Sequence, residues 1–199
     1  MTITIISDHD FLQEALQQIM QNEEIHTYKL PPSLDLTKKN LIIIDSKQDN
    51  LKTSMRFVKN YCGLVTIIYL GDLAKKSDRV ISIARPVNIA LLARHLAKID
   101  QSPVIAIYKD TYFNPKLRLV VKLSRASSVE TTLTEKESEL LQYLISHRGE
   151  IIHKDKLLLD IFSYSDGTST HTLETHMYRL RSKIPADIIT ARDGGYGVA

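Results

Sequence analysis

The stretch from His171 to Tyr196 constrains this chain most. Read as a helix, Leu173, Met177, Leu180 and Ile184 fall at i, i+4, i+7 and i+11, which is one apolar stripe. The opposite face carries His171, Thr175, Tyr178, Arg179 and Ser182, with Thr172 at its border. Such a helix rests on a core with one side and offers hydroxyls, a phenol and a guanidinium with the other. Pro185 stops it, since proline lacks the N–H and restricts the residue before it. A β-branched run (Ile188, Ile189, Thr190) then turns at Asp193-Gly194-Gly195 into Tyr196 and Val198, the pattern of a hairpin.

This helix and hairpin resemble the recognition helix and wing of the OmpR/PhoB family of winged-helix response regulators. The family pattern runs roughly Thr-Val-(Asp/Glu)-Val-His-Ile-x-x-Leu-Arg-x-Lys-Leu, with a wing ending Thr-Val-Arg-Gly-x-Gly-Tyr. Here Thr172, Glu174, His176, Leu180, Arg181 and Lys183 match the first, and Thr190, Arg192, Gly195 and Tyr196 the second. The resemblance implies that helix 171–184 enters the major groove, where each base pair shows its own donor and acceptor pattern. Arg179 is then the expected base or adjacent phosphate contact, with Thr175 and Tyr178 reaching base edges or thymine methyls. His171 and Thr172 would hold phosphates near the helix start, and Lys183 would add to the local positive charge. His176 is either packed or on a phosphate, and Arg181 either contacts the duplex or pairs within the domain. Arg192 would reach the neighbouring minor groove or backbone, with Thr190 and Tyr196 bracing the wing or binding phosphate.

The residues upstream fit such an output domain. Val104–Tyr108, Leu117–Leu123 and Val129–Leu133 are β-rich and predict a small antiparallel sheet. Thr134-Glu-Lys-Glu137 is a capping box that launches a helix carrying Leu140, Leu141, Leu144 and Ile145 and ending near Gly149. After Ile151-Ile152, residues 154–162 predict a second helix with Leu157, Leu158 and Ile161 inward. Residues 163–170 are polar and rich in turn formers, a connector. In the resembling family this loop can touch RNA polymerase, which makes Tyr164 and Asp166 candidates.

In the first hundred residues, continuous apolar runs (Ile3–Ile6, Leu41–Ile44, Leu64–Leu70, Val80–Ile83) suggest strands buried on both faces, as in a parallel sheet. Helical spacing of Phe11, Leu12, Ala15, Leu16 and Ile19, and of Ile89, Leu92 and Leu96, completes a β–α alternation, with residues 25–29 as an edge strand. Pro31-Pro32 leaves room for one turn at most before the third strand, and residues 71–78 are short for a full helix. This half resembles a receiver domain, with Asp45 at the phosphoacceptor position, Asp8 at the second Mg²⁺-holding position and Arg85-Pro86 where the family has Lys-Pro. Ser7 stands at the first acidic position, with Asp10 nearby, and Gly71 where a reporting hydroxyl is expected. Mg²⁺ favours near-octahedral oxygen ligands, and arginine does not replace lysine in reach or fork geometry. The expectation is therefore a degenerate, shortened receiver, in which Asp45 accepts hydrogen bonds from backbone or Arg85. Asp8 and Asp10 equally suit a helix start. The alternative is a phosphorylation-controlled regulator that uses Asp45 and Mg²⁺ and acts mainly through protein–protein contacts.

The expected architecture is thus an α/β receiver-like domain with a flavodoxin-like parallel sheet (1–100), followed by an α+β winged-helix DNA-binding domain (103–199), joined at Asp100–Pro103. Charge does not segregate: residues 1–100 hold 13 basic and 11 acidic groups, residues 101–199 hold 13 and 12. Binding to a polyanion must therefore come from local concentration of cations, while Glu135, Glu137 and Glu139 can occupy a far face. Cys62 is the only cysteine, no signal pattern opens the chain and no apolar run spans a membrane, so a cytoplasmic protein is expected. His171 and His176 are five apart and do not form an i, i+4 zinc pair, and no nucleophile elbow or phosphate-binding glycine loop is present. No metal, resident cofactor or enzymatic activity is expected. Double-stranded DNA, a second copy of the chain and RNA polymerase are the expected partners, with a sensor kinase left open.

Overall fold

In the computed structural model, which describes residues 2–36, 38, 40–61, 63–72, 80–99, 104–124, 128–162 and 171–198, the chain divides into two units. One is built chiefly from Met1–Ile105, the other from Ala106–Ser124 and Val129–Ala199.

The first unit runs β1 (Thr2–Ile6), α1 (Phe11–Ile19), β2 (Glu24–Tyr28), β3 (Asn40–Asp45), α2 (Leu51–Tyr61), β4 (Thr66–Leu70), β5 (Val80–Ile83) and α3 (Ile89–Lys98). The strands form one parallel sheet in the order β2-β1-β3-β4-β5. Successive strand residues point to opposite faces, so each central strand feeds two cores. Ile3, Ile5, Leu41, Ile43, Ile68 and Leu70 meet Leu12 and Leu16 of α1 and Leu92, Ala93 and Leu96 of α3. Ile6, Ile42, Ile44, Ile67 and Tyr69 meet Val58 of α2. Two-sided burial is the reason these strands read as unbroken apolar runs. The stripe on α1 is narrower than its spacing predicts: Leu12 and Leu16 are buried while Phe11 and Ile19 are exposed. Helix α2 had no clear sequence signature because its fully buried line includes a serine. Ser54 Oγ donates to Gln48 Oε1 at 3.0 Å, which satisfies a hydroxyl where a leucine would have marked the stripe.

The second unit opens with a sheet ordered β6-β7-β8-β9: β6 (Ile105–Tyr108), β7 (Thr111–Asn114), β8 (Leu119–Leu123) and β9 (Ser128–Thr132). Strand β7, antiparallel to β8, is an addition to the three segments the sequence marks. It is short and holds only two buried residues, Thr111 and Phe113. Then come α4 (Glu135–Ser146), β10 (Ile152–His153), α5 (Lys154–Phe162), α6 (His171–Lys183), β11 (Ile189–Arg192) and β12 (Gly195–Val198). The capping box on α4 is made in both directions: Thr134 N donates to Glu137 Oε2 at 2.8 Å, and Glu137 N to Thr134 Oγ1 at 3.4 Å. Helix α4 packs on α5, α6 and β12. The hairpin is part of a three-stranded sheet, β10-β12-β11, because Ile152-His153 pairs into it, so the stretch read as a brief apolar link is in part a strand. No helix among the described residues is long and apolar enough to cross a membrane.

Candidate nucleic-acid interface

Helix α6 is oriented by its stripe. Leu173, Met177 and Leu180 are at most 1% exposed and Ile184 is buried beyond the helix end. Burying such side chains contributes about 1.5–3 kcal/mol each, enough to fix which side faces inward. His171, Thr175, Tyr178, Arg179, Arg181 and Ser182 are consequently exposed, Tyr178 at 76%. Thr172 is half-buried, at the border. Thr175 Oγ1 donates back to the His171 carbonyl at 2.8 Å, and Ser182 Oγ to the Arg179 carbonyl at 2.7 Å. Among the described residues, Arg179, Arg181 and Arg192 have no ion-pair partner.

The hairpin turns on two residues in left-handed conformation, Asp193 at φ 52° and Gly194 at φ 70°, while Arg192 pairs with Gly195 across it. This is the two-residue geometry that matches strand twist. A Cβ at Gly195 would lie 2.4 Å from the Ile152 carbonyl oxygen, so β12 approaches β10 closely only because that position is glycine. Arg192 is exposed beside the turn. Thr190 Oγ1 donates to the Gly197 carbonyl at 3.3 Å, and Tyr196 is buried, so both brace the hairpin. A surface groove of about 380 Å³ between α6 and β12 is lined by Glu174, Tyr178, Arg181, Ser182 and Tyr196, among others. Arg181 lines this groove and forms no ion pair among the described residues.

Two sequence expectations change. Lys183, grouped with the duplex-facing cations, is turned inward: its Nζ donates to Glu137 Oε2 at 2.7 Å and to the Thr132 carbonyl at 3.2 Å. Glu137 in turn is no far-face charge but a buried carboxylate, 1% exposed. Burial pushes its carboxyl up, but the Lys183 ammonium and the Thr134 amide outweigh that and hold it below the ordinary range. The other open alternative, His176, takes its packed form. Its ring lies 5.3 Å from that of Phe162, and Nδ1 is buried with no hydrogen-bond partner among the described residues. Sequence reading did not single out Lys154, whose Nζ meets Glu174 Oε1 at 2.6 Å. That bond holds the Glu174 carboxyl below, and the Lys154 ammonium above, their usual values. Tyr164 and Asp166, the positions expected to touch polymerase, lie outside the described residues, as do Cys62 and the junction 100–103.

In the first unit, Asp45 ends β3 with its oxygens engaged. Oδ1 accepts the Lys47 amide at 2.8 Å and the Arg85 guanidinium, and Oδ2 accepts Ser7 Oγ at 3.3 Å. Asp8 Oδ2 accepts the Asp49 amide at 2.6 Å. Asp10 is exposed at the start of α1 and makes no side-chain cap bond. Gly71 has φ 149°, and a Cβ there would lie 2.4 Å from Ser46 Oγ, so a hydroxyl side chain cannot enter unless Ser46 moves. The donor set does not fit Mg²⁺: the Arg85 cation and the uncharged Ser7 hydroxyl stand against Asp45, where Mg²⁺ favours carboxylate oxygens. No three carboxylate, imidazole or thiol groups among the described residues converge as a cation site.

Residues 128–198 match the family described as "Transcriptional regulatory protein, C terminal". The transcriptional regulatory protein PmrA of Pectobacterium parmentieri is 30% identical over 216 residues, covering 98% of this chain and 96% of that protein. VxrB of Vibrio cholerae serotype O1, also a transcriptional regulatory protein, is 39% identical over 66 residues, which is 33% of this chain and only 27% of VxrB. Among solved structures, the response regulator DrrB of Thermotoga maritima, titled an OmpR/PhoB homolog, aligns over 100% of this chain and 98% of its own at 17% identity and a TM-score of 0.41.

Proposed function

This chain belongs to the OmpR/PhoB family of response regulators, which are DNA-binding transcriptional regulators rather than enzymes, and from that premise we propose that it reads a specific duplex sequence as a homodimer without phosphorylation at Asp45. The observation that carries the duplex reading is the pairing state of its arginines. Arg179 and Arg181 on α6 and Arg192 at the wing turn are exposed, and no carboxylate among the described residues neutralises them. Arginine left open beside hydroxyls and a phenol suits base edges and phosphate oxygens. Arg179, Thr175 and Tyr178 read bases in the major groove; His171, Thr172 and Arg181 hold the backbone; Arg192 reaches the adjacent minor groove. Thr190 and Tyr196 keep the wing in shape, and Tyr164 and Asp166 are offered to RNA polymerase.

Independence from phosphorylation is supported by the arrangement at Asp45, whose oxygens are occupied by Arg85, Ser7 and the Lys47 amide. A phosphoryl group would have to displace those partners, with no metal-fitting ligand set to balance its charge. Dimerisation through α3 is supported by Leu91, which is exposed while its neighbours Leu92 and Ala93 are buried.

Selection of bound fragments from random duplexes tests the reading. The full chain enriches one motif, arranged as two half-sites; recovery of unenriched sequence would overturn it. Labelling by a small phosphodonor with Mg²⁺, lost in Asp45→Asn, would replace phosphorylation independence with the opposite.

A further inference from the structure

Helix α6 is gripped near both ends by ion pairs that cross to two different helices. Towards its start, Lys154 Nζ at the beginning of α5 donates to Glu174 Oε1 at 2.6 Å. At its end, Lys183 Nζ donates to Glu137 Oε2 on α4 at 2.7 Å, and that oxygen also accepts the Thr134 amide at 2.8 Å. At 100° per residue, Glu174 and Lys183 project about 90° to either side of the Leu173–Met177–Leu180–Ile184 stripe, roughly 13 Å apart along the axis. The stripe selects the inward side but is smooth: leucine and methionine tolerate some rotation about the helix axis. Two charge-assisted bonds on opposite flanks remove that freedom. Rotation either way stretches one pair and compresses the other.

The consequence lies on the outer face. With side chains the helix has a radius of about 6 Å, so a 20° rotation carries the outer groups about 2 Å. A hydrogen bond to a base edge tolerates only a few tenths of an ångström. We propose that Glu137–Lys183 and Lys154–Glu174 are positioning pairs that set the rotation of the recognition helix and thereby its base discrimination, without touching the duplex. The proposal rests on the duplex-reading function above. It moves Lys183 from the expected duplex-facing cations to a positioning role, and it gives roles to Glu137, Lys154 and Glu174, each of which is held in an ion pair within the unit.

The test uses the full chain, the duplex motif selected by wild type, and a scrambled duplex, across a salt series. Glu137→Gln keeps an amide oxygen for the Thr134 amide, so the capping box survives while the ion pair is lost. Lys183→Met keeps the stem and removes the ammonium. Each should lower the motif-to-scrambled affinity ratio by roughly two- to thirty-fold, and the double variant should be no worse than either single one. The slope of log affinity on log salt should stay at the wild-type value, and Lys183→Arg should restore the ratio. Should Glu137→Gln fail to fold, Lys183→Met and the other pair's variants Lys154→Met and Glu174→Gln carry the same measurement. A salt slope reduced by about one in Lys183→Met alone would make Lys183 a phosphate contact and overturn the proposal. So would an unchanged affinity ratio in every variant. A wild-type chain that enriches no motif would instead remove the duplex reading itself, and this proposal with it.

Discussion

Asp45 and Arg179 are each a charged side chain at a candidate functional position of its unit, yet their surroundings are opposite. Asp45 is closed: Arg85, Ser7 and a backbone amide meet its oxygens, and Ser46 fills the space beside Gly71. Arg179 is open, exposed with Arg181 on a helix whose Glu174 and Lys183 are turned to partners inside the unit. A group kept for a ligand must retain unsatisfied bonding capacity in the free protein. A group that has become structural spends that capacity on its neighbours. Under the proposed function, this sorting of charges into closed and open sets distinguishes Asp45 from Arg179 more sharply than residue identity does.

The contrast between the two faces of α6 should show the largest effect. Leu180 is fully buried, and Leu180→Ala should destabilise the carboxyl-terminal unit by about 2–5 kcal/mol through lost transfer energy and a residual cavity. Denaturant melts of the full chain report it. Arg179→Ala and Arg192→Ala should leave the melt within about 0.5 kcal/mol of wild type. They should instead weaken binding to the selected motif by about 1–3 kcal/mol, measured by equilibrium titration at fixed salt. Loss of stability in Arg179→Ala, or wild-type affinity in both arginine variants, would erase the distinction between inner and outer faces.

Smaller effects are expected at Asp45. Its pairing with Arg85 is partly exposed, so Arg85→Ala should cost about 0.2–1 kcal/mol of stability in the same melts. Motif affinity of wild type should be the same with and without phosphodonor and Mg²⁺. A donor-dependent gain in affinity would mean that the closed arrangement opens, and the two sites would then differ less than their geometry indicates.

Much of this was legible in the sequence wherever burial left a period. The two-sided strands announced themselves as Ile3–Ile6 and Leu41–Ile44, the α6 stripe as four apolar residues at helical spacing, and the wing by Asp193-Gly194. What escaped had no period to read. Helix α2 hides behind Ser54, and β7 is four residues long with two buried. Polar partners escaped for another reason. Lys183 and Glu137 are 46 residues apart, and nothing local distinguishes an ammonium bound for phosphate from one that crosses to a buried carboxylate. Sequence spacing gave the face of the helix correctly; which charges on its flanks were already spoken for required the packing of α4, α5 and α6.

Acid sensitivity should separate the units most subtly. In the carboxyl-terminal unit, Glu137 is held below the ordinary carboxyl value of 4.5, because Lys183 and Thr134 more than offset the effect of burial. Glu174 is lowered by its bond to Lys154. In the amino-terminal unit the carboxyl so lowered is Glu24, through His26 and then Thr2, at the surface where solvent screens it. A carboxyl whose folded pKa lies below its unfolded one binds more protons when unfolded, so stability rises with pH across the interval. The contribution is complete above about pH 4.5 and is lost as pH falls through the depressed folded values. Thermal melts between pH 6 and pH 3 should therefore show the carboxyl-terminal unit losing stability below pH 4.5, and Glu137→Gln should flatten that loss while starting from a lower plateau. Glu174→Gln should flatten it less, its pair being more exposed. An acid limb equally steep in wild type and Glu137→Gln would mean that the buried carboxylate does not stabilise the unit through its charge, and the inner flank of α6 would be held by packing alone.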